Sequence, residues 1–304
     1  MVVWGAPRAM TRRLPEVIAV FGPTGSGKTS ASEIVARVLG TEIVSADALQ
    51  VYRDLPILTN QSGRATRLVA IRDLSQEFSV GEYARLAHAE IDELVGTNGI
   101  AVVCGGTGLY LRAAIVDLDL PPAAESSARA RWEALYASDP DAAYARLGAL
   151  DAAAASRVHL NDRRRVVRAL ELAEHGESLA PARDRLWAAD TRLPTTVVGL
   201  ELSRISLERR IRERTEEMLE RGVVDEARRA AASRISKTAE KALGLRELVE
   251  LPLEQARERL VASTLRYAAY QRKWMRRIEG IVMIDADRPP EEVADAILEV
   301  ARAG

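Results

Sequence analysis

Short apolar runs alternate with helical patterns over the first 116 residues. Val17 to Phe21, Glu42 to Ala46 and Ile100 to Cys104 read as strands, and Lys28 to Leu39, Ser79 to Val95 and Leu109 to Val116 repeat apolar positions at helical spacing. That alternation predicts βαβ units and a parallel sheet. From Pro121 to about Asp190 the chain turns Ala-, Arg- and Glu-rich and helical, with no strand pattern. Apolar runs return at Thr195 to Leu202 and Gly280 to Ala286, with long helices between them, so the sheet is expected to resume there. The predicted organisation is a core of residues 1–120 and 191–304, interrupted by a helical insertion at 121–190.

Length and composition agree with one main core and a satellite: 304 residues, 47% of them hydrophobic, sit near the size at which single cores stop growing. The net charge of −1 is a near-cancellation of 43 basic and 44 acidic residues. Any nucleic-acid contact must therefore come from local clusters rather than a global positive field. One cysteine, Cys104, excludes an intrachain disulfide and suits a reducing, cytoplasmic setting. No run approaches the ~18 apolar residues of a membrane span, so no membrane association is expected. Residues 1–13 read as a leader ahead of the fold, with Met10 an alternative first residue.

The strongest chemical signal is "GPTGSGKT" at Gly22, Pro23, Thr24, Gly25, Ser26, Gly27, Lys28 and Thr29, between a strand pattern and a helix pattern. This is the form of a P-loop, so the expected fold is α/β, a P-loop NTPase-like parallel sheet flanked by helices with an inserted all-helical domain. Backbone N–H groups of such a turn bind phosphate oxygens, the lysine adds a point charge, and the Thr29 hydroxyl can ligate Mg²⁺. Hydrolases and most P-loop kinases also carry an aspartate after an apolar strand. Here the third strand runs into Gly105, Gly106 and Thr107 instead. The one acid at a strand end is Asp47, and strand ends of an open parallel sheet form the active crevice. Asp47, Thr107 and the P-loop are therefore expected to converge. The alternatives are structural: Asp47 as a helix cap or turn residue, and Thr107 as a cap.

Three basic segments follow. Arg164, Arg165 and Arg168 stand at a helix start, Arg210 and Arg214 are four apart, and Tyr267, Tyr270 and Trp274 interleave with Arg and Lys. Such patterns suit phosphate contact and base stacking, or simply a solvated helix face. His88, His159 and His175 have no ligand spacing, and Cys104 reads as a small buried strand residue rather than a nucleophile.

"GPTGSGKT", "SADALQVYR" (45–53), "GGTGLY" (105–110), "NDRRRVVRALE" (161–171) and "YQRKW" (270–274) stand in the order and spacing of one family. Over nearly its whole length the chain resembles the tRNA dimethylallyltransferases, also called tRNA isopentenyltransferases. The resemblance implies transfer of a dimethylallyl group from dimethylallyl diphosphate to the N6 amine of the adenosine 3′ of the anticodon, with Mg²⁺ as cofactor. It implies Asp47 as the base, Thr107 and Arg214 acting on the diphosphate, and the P-loop holding it. Contacts to the tRNA anticodon arm would come from Asp47, Ala48, Leu49 and Gln50, from Arg129, from Arg164, Arg165 and Arg168, and from Lys241 to Arg246, with residues 121–190 as a tRNA-binding domain. A monomer is expected. The chain departs from the family pattern at Ala48, where serine is usual, at "LPILTNQ" (55–61), and at "AYQ" (269–271), where Lys-Arg-Gln is usual. Rival readings are an adenylate isopentenyltransferase acting on free AMP, ADP or ATP, a P-loop small-molecule kinase binding ATP, and a tRNA-binding protein without catalysis. The missing strand-end acid argues against the kinase, and the intact Lys28, Thr29 and Asp47 against the last.

Overall fold

The computed structural model describes residues 14–62, 66–118, 120, 126–180 and 185–303; the expected leader and the Met10 start lie outside the described residues. Five short strands form because their residues are apolar on both faces, and a sixth pairs at one edge. In chain order the first elements are β1 (Val17–Phe21), α1 (Lys28–Leu39), β2 (Ile43–Ser45), β3 (Thr66–Arg67), α2 (Val80–Asn98), β4 (Ala101–Gly105) and α3 (Gly108–Ile115). Then come α4 (Ser126–Ser138), α5 (Pro140–Leu150), α6 (Ala152–Ala155) and α7 (Arg163–Glu174). The chain closes with β5 (Thr195–Glu201), α8 (Arg204–Glu220), α9 (Val223–Ala231), α10 (Leu245–Glu250), α11 (Leu253–Met275), β6 (Val282–Asp285) and α12 (Pro290–Ala303).

The strands form one parallel sheet in the order β3-β2-β4-β1-β5-β6. β1 is central and in register with both neighbours, Val17 opposite Ala101 on one side and Thr195 on the other. Its five residues are buried, as a parallel strand covered on both faces must be. Ile18, Val20, Val102, Val198 and Leu200 pack with Val35 of α1 and Ile297 of α12 in one continuous cluster. The other face is reached by α2, whose Tyr83 hydroxyl donates to the Ser45 carbonyl at 3.0 Å. α8 and α11 are joined through Leu207, Ile211, Val261 and Ala268. That seam decides where Arg214, Tyr267 and Gln271 point.

Predicted and observed elements agree in kind, with ends moved by one to three residues; α2 runs on from the expected Val95 to Asn98 and stops at Gly99, whose φ is +74°. The two-residue edge strand β3 has no apolar pattern of its own and is defined by its pairing with β2.

The chain divides into two compact units: one built on residues up to Phe78, Glu82–Asp117 and Leu186 onward, the other on Leu118–Arg185 with Ser79–Gly81. The second has its own small core, in which Tyr136, Leu147, Val166 and Leu170 are buried together. Within it Glu171 is buried and ion-paired to Arg168 at 3.1 Å, with Arg129 at 3.9 Å.

Candidate active site

The turn after β1 can exist only with glycine at two points: Gly25 and Gly27 have φ of +87° and +78°, in the left-handed region that L side chains avoid. Gly27 is also the cap of α1 and supplies no side chain to it, so the first N–H groups of the helix are not taken up by a cap. The Ser26 hydroxyl is buried and has no hydrogen-bond partner among the described residues. Together these leave a ring of donors at a positive helix end, the arrangement that binds an anion. Lys28 turns back over the loop, its Nζ 3.4 Å from the Pro23 carbonyl. Burial lowers the pKa of its ammonium, opposed by the nearby Cys104 and Asp47.

Asp47 follows β2 in a turn. One carboxylate oxygen accepts the Leu49 N–H at 2.9 Å, and the Ala48 N–H is 3.3 Å from the Thr107 hydroxyl oxygen. Asp47 is thus a turn residue, as one reading of the sequence has it, and it also lines the cavity beside Thr24, Lys28 and Thr29 of the P-loop. Thr107 stands at the cap position of α3 but makes no side-chain cap. Its hydroxyl instead meets Ala48 and, at 3.4 Å, the Tyr267 hydroxyl. Tyr267 is pushed up to about 12, first by burial and then by the charge of Asp47, so it keeps its proton at neutral pH.

Arg214 of α8 completes the group. Burial lowers its pKa, while Asp47 and Glu217 hold the charge on it. Two cavities meet here, with open volumes of about 590 Å³ and 620 Å³. Both are lined by Thr24, Asp47, Thr59 and Arg214. The first continues past Lys28, Thr29 and Ser45 and is mainly polar; the second continues past Leu58, Ile211, Met218 and Tyr267 and is mainly apolar. A polar end beside the P-loop and a more apolar end therefore share one carboxylate and one guanidinium. Cys104 lies beside the polar cavity, but burial raises its thiol pKa, which suits an inert strand residue.

Other expected residues fall elsewhere. Gln50 spends its amide internally: it accepts from Ser45 and donates to the Thr59 and Asn60 carbonyls, at 2.9, 3.2 and 3.1 Å. It thereby holds the 59–60 wall of the polar cavity. Arg210 is ion-paired to Asp287 at 3.7 Å and donates to the Ala286 carbonyl. Arg164 and Arg165 are exposed on α7, Arg165 with Asp162 at 3.7 Å, whereas Arg168 is committed to Glu171. Arg246 is paired with Glu240 at 2.9 Å, and Lys241 ends the short turn Ala239–Lys241.

The three rings of α11 differ in their surroundings. Of its three rings Tyr270, 55% exposed, is the most open; the Tyr267 hydroxyl reaches that of Thr107, and Trp274 packs against Trp187 with centroids 4.5 Å apart and planes tilted by 49°. Helical spacing puts 267, 270 and 274 along one side of the helix, and that side is half-buried at Tyr267 and Trp274 and exposed at Tyr270. The contacts of two residues escaped sequence reasoning. Glu226 of α9 accepts the Ile57 and Leu58 N–H groups at 2.9 and 2.7 Å. Gln271 reaches the P-loop. Glu226 has no local pattern to betray it, and for Gln271 the "YQRKW" motif marks the residue but not its use, since the partners of the two lie 165 to 247 residues away.

A family model described as IPP transferase matches residues 50–278, about three quarters of the chain. The chain belongs to the IPP transferase family. A second family description, isopentenyl transferase, matches residues 15–71, the P-loop and Asp47 stretch of this IPP transferase. Its curated relatives include a tRNA dimethylallyltransferase of Streptomyces coelicolor, 37% identical over 277 residues covering 86% of this chain and 88% of the relative. Another, from Acidothermus cellulolyticus, is 35% identical and covers 95% and 93%. Among solved structures, the tRNA isopentenylpyrophosphate transferase of Bacillus halodurans superposes with a TM-score of 0.67 at 29% identity, covering 95% of this chain and 97% of the other. A eukaryotic dimethylallyltransferase captured acting on tRNA gives a TM-score of 0.73 at 25% identity, covering 89% and 73%.

Proposed function

We propose that this IPP transferase moves the dimethylallyl group of dimethylallyl diphosphate to the N6 amine of the adenosine 3′ of the tRNA anticodon and releases diphosphate. One observation carries the reading: Asp47, Lys28, Thr29 and Arg214 line a single cavity at the end of a P-loop strand, with Gly105 in place of a hydrolytic acid on the neighbouring strand. The site grips phosphate and offers a base, but lacks the aspartate that serves hydrolysis.

An adenine amine is a weak nucleophile because its lone pair is shared with the ring. As it forms its bond to C1 of the donor, Asp47 takes its proton, a contribution of typically ~10²- to 10⁴-fold. The C1–O bond breaks, and negative charge gathers on the diphosphate. The P-loop amides, Lys28 and Arg214 face that charge, and Thr107 with the protonated Tyr267 offers hydroxyl donors. The apolar cavity beside Asp47 suits the five-carbon group.

Mg²⁺ fits the donor set in one way. Among the described residues no group of three or more His, Cys, Asp and Glu could hold a metal by protein alone, so the ion would sit on diphosphate oxygens with the Thr29 hydroxyl, as Mg²⁺ commonly does with substrate phosphates. When bound it would supply neutralising charge to the leaving group.

A base within an anticodon loop must be unstacked to enter the site, at a cost of a few kcal/mol. Arg164 and Arg165, with Arg129, Arg168, Lys241 and Arg246 as further candidates, supply phosphate contacts that offset this cost in our reading. No helix among the described residues is long and apolar enough to cross a membrane, and we place the protein, as a monomer, with tRNA in the cytoplasm. Incubating it with labelled dimethylallyl diphosphate and either unmodified tRNA or AMP, ADP and ATP tests the proposal. Label should enter tRNA; label in the free nucleotide instead would make it an adenylate isopentenyltransferase.

A further inference from the structure

Gln271 lies in the middle of α11 and is 2% exposed. Its Oε1 accepts the Thr24 backbone N–H at 2.9 Å, and its Nε2 donates to the Gly106 carbonyl at 2.8 Å. Only this orientation of the amide satisfies both partners, because one is a donor and the other an acceptor. Thr24 belongs to the P-loop, and Gly106 precedes Thr107. One turn back on the same helix, the Tyr267 hydroxyl is 3.4 Å from the Thr107 hydroxyl. A second observation shows that the approach is built in: a Cβ on Gly106 would stand 2.3 Å from Gln271 Nε2 and 3.2 Å from the Gly22 carbonyl oxygen. Glycine there is what lets the amide reach between the two loops.

We propose that Gln271 is a positioning residue for donor binding and transfer: a clamp that sets the separation of the P-loop from the loop carrying Thr107, and so the pose of the diphosphate between them. The Thr24 N–H, expected from the motif to face phosphate, is occupied by the clamp. The phosphate cradle therefore begins at Gly25 and runs into α1. The inference rests on the reading of this site as a diphosphate site.

The side chain must present one acceptor and one donor at a fixed span. Methionine matches its length and offers neither, leaving the Thr24 N–H and the Gly106 carbonyl without partners. Ionised glutamate can accept from Thr24 but sets a charged oxygen against the Gly106 carbonyl. Neutral glutamic acid restores the pair, its C=O accepting and its O–H donating. Gln271→Glu should therefore be rescued by acid, an outcome that loss of packing cannot produce.

Inorganic diphosphate binding by calorimetry, and steady-state dimethylallyl transfer to tRNA, decide the matter on the full chain. For Gln271→Met we expect diphosphate affinity to fall ~10-fold or more and kcat ~10- to 100-fold, since small misplacements of a bound group cost up to ~10²-fold. The KM for tRNA should stay within about threefold. For Gln271→Glu, activity relative to wild type at the same pH should rise as pH falls. Taking that ratio divides out the titrations of Asp47, Lys28, Arg214 and Tyr267 around Thr24. Unchanged diphosphate affinity in Gln271→Met, or a Gln271→Glu ratio flat with pH, overturns the clamp. If Gln271→Met fails to fold, the pH ratio of Gln271→Glu decides alone. If the wild type transfers nothing to tRNA, the proposed reaction is wrong, while the diphosphate comparison still judges the clamp.

Discussion

Asp47 does two things with one carboxyl group: it accepts the Leu49 N–H and it faces the cavity shared by the P-loop and Arg214. Asn at this position can still accept from Leu49, so the turn survives, but it cannot take a proton. Asp47→Asn should lower kcat by ~10²-fold or more with the melting transition nearly unchanged; transfer and thermal unfolding measured on one preparation separate the two roles. Lys28 gives a pH signature. Its pKa is lowered by burial, so as pH rises the free enzyme loses this charge earlier than an exposed lysine would. Donor kcat/KM should therefore fall along an alkaline limb that begins below the usual lysine range. Lys28→Arg keeps its charge at high pH, and its limb should move upward even if its donor KM is poorer. Identical limbs in the two proteins would assign the titration to another group. The identity of these residues was legible in the sequence because each lies in a contiguous motif. The contact of the Tyr267 hydroxyl with Thr107 was not.

At the scale of elements, periodicity found the five apolar strands and the main helices because each buries a regular stripe or face. It could not see the stretch 55–61, which folds into turns with hydrogen bonds of its own and is braced further from outside. Glu226 binds the Ile57 and Leu58 N–H groups, Gln50 the Thr59 and Asn60 carbonyls, and Gln61 the Gln50 and Tyr52 carbonyls. This latch places Leu58 and Thr59 in the cavity walls. Glu226→Gln can satisfy only one of the two N–H groups and turns an NH₂ toward the other. We expect a loss of ~1–3 kcal/mol, the usual cost of an unmet buried donor, read as a lower urea midpoint at unchanged slope. Transfer should show a raised donor KM. An unmoved midpoint would mean that the stretch holds its shape without α9.

At the scale of the whole molecule, sequence places three arginines at the start of α7 and treats them alike, but the folded helical unit divides their labour. Arg164 and Arg165 are exposed, and Arg168 neutralises the buried Glu171. Removing Arg164 and Arg165 together should weaken tRNA binding and reduce its salt slope by about 1 to 2, as lost phosphate contacts do. Arg168→Ala should instead destabilise the helical unit by ~1–3 kcal/mol by stripping a partner from a buried carboxylate, with a smaller change in slope. Binding isotherms at several salt concentrations, beside thermal melts, distinguish the cases; equal slopes for wild type and the double variant would return α7 to an ordinary solvated face. The sequence alone determined the sheet class, the P-loop with its glycine turns, the absence of a hydrolytic acid and the family, because these depend on residues close together in the chain. Only the tertiary structure decided that Gln271 ties the P-loop to the Thr107 loop, that Glu226 braces the cavity wall and that Arg168 is spent on Glu171. Those contacts satisfy buried polar groups, and which groups become buried is settled by packing rather than by any local run of residues.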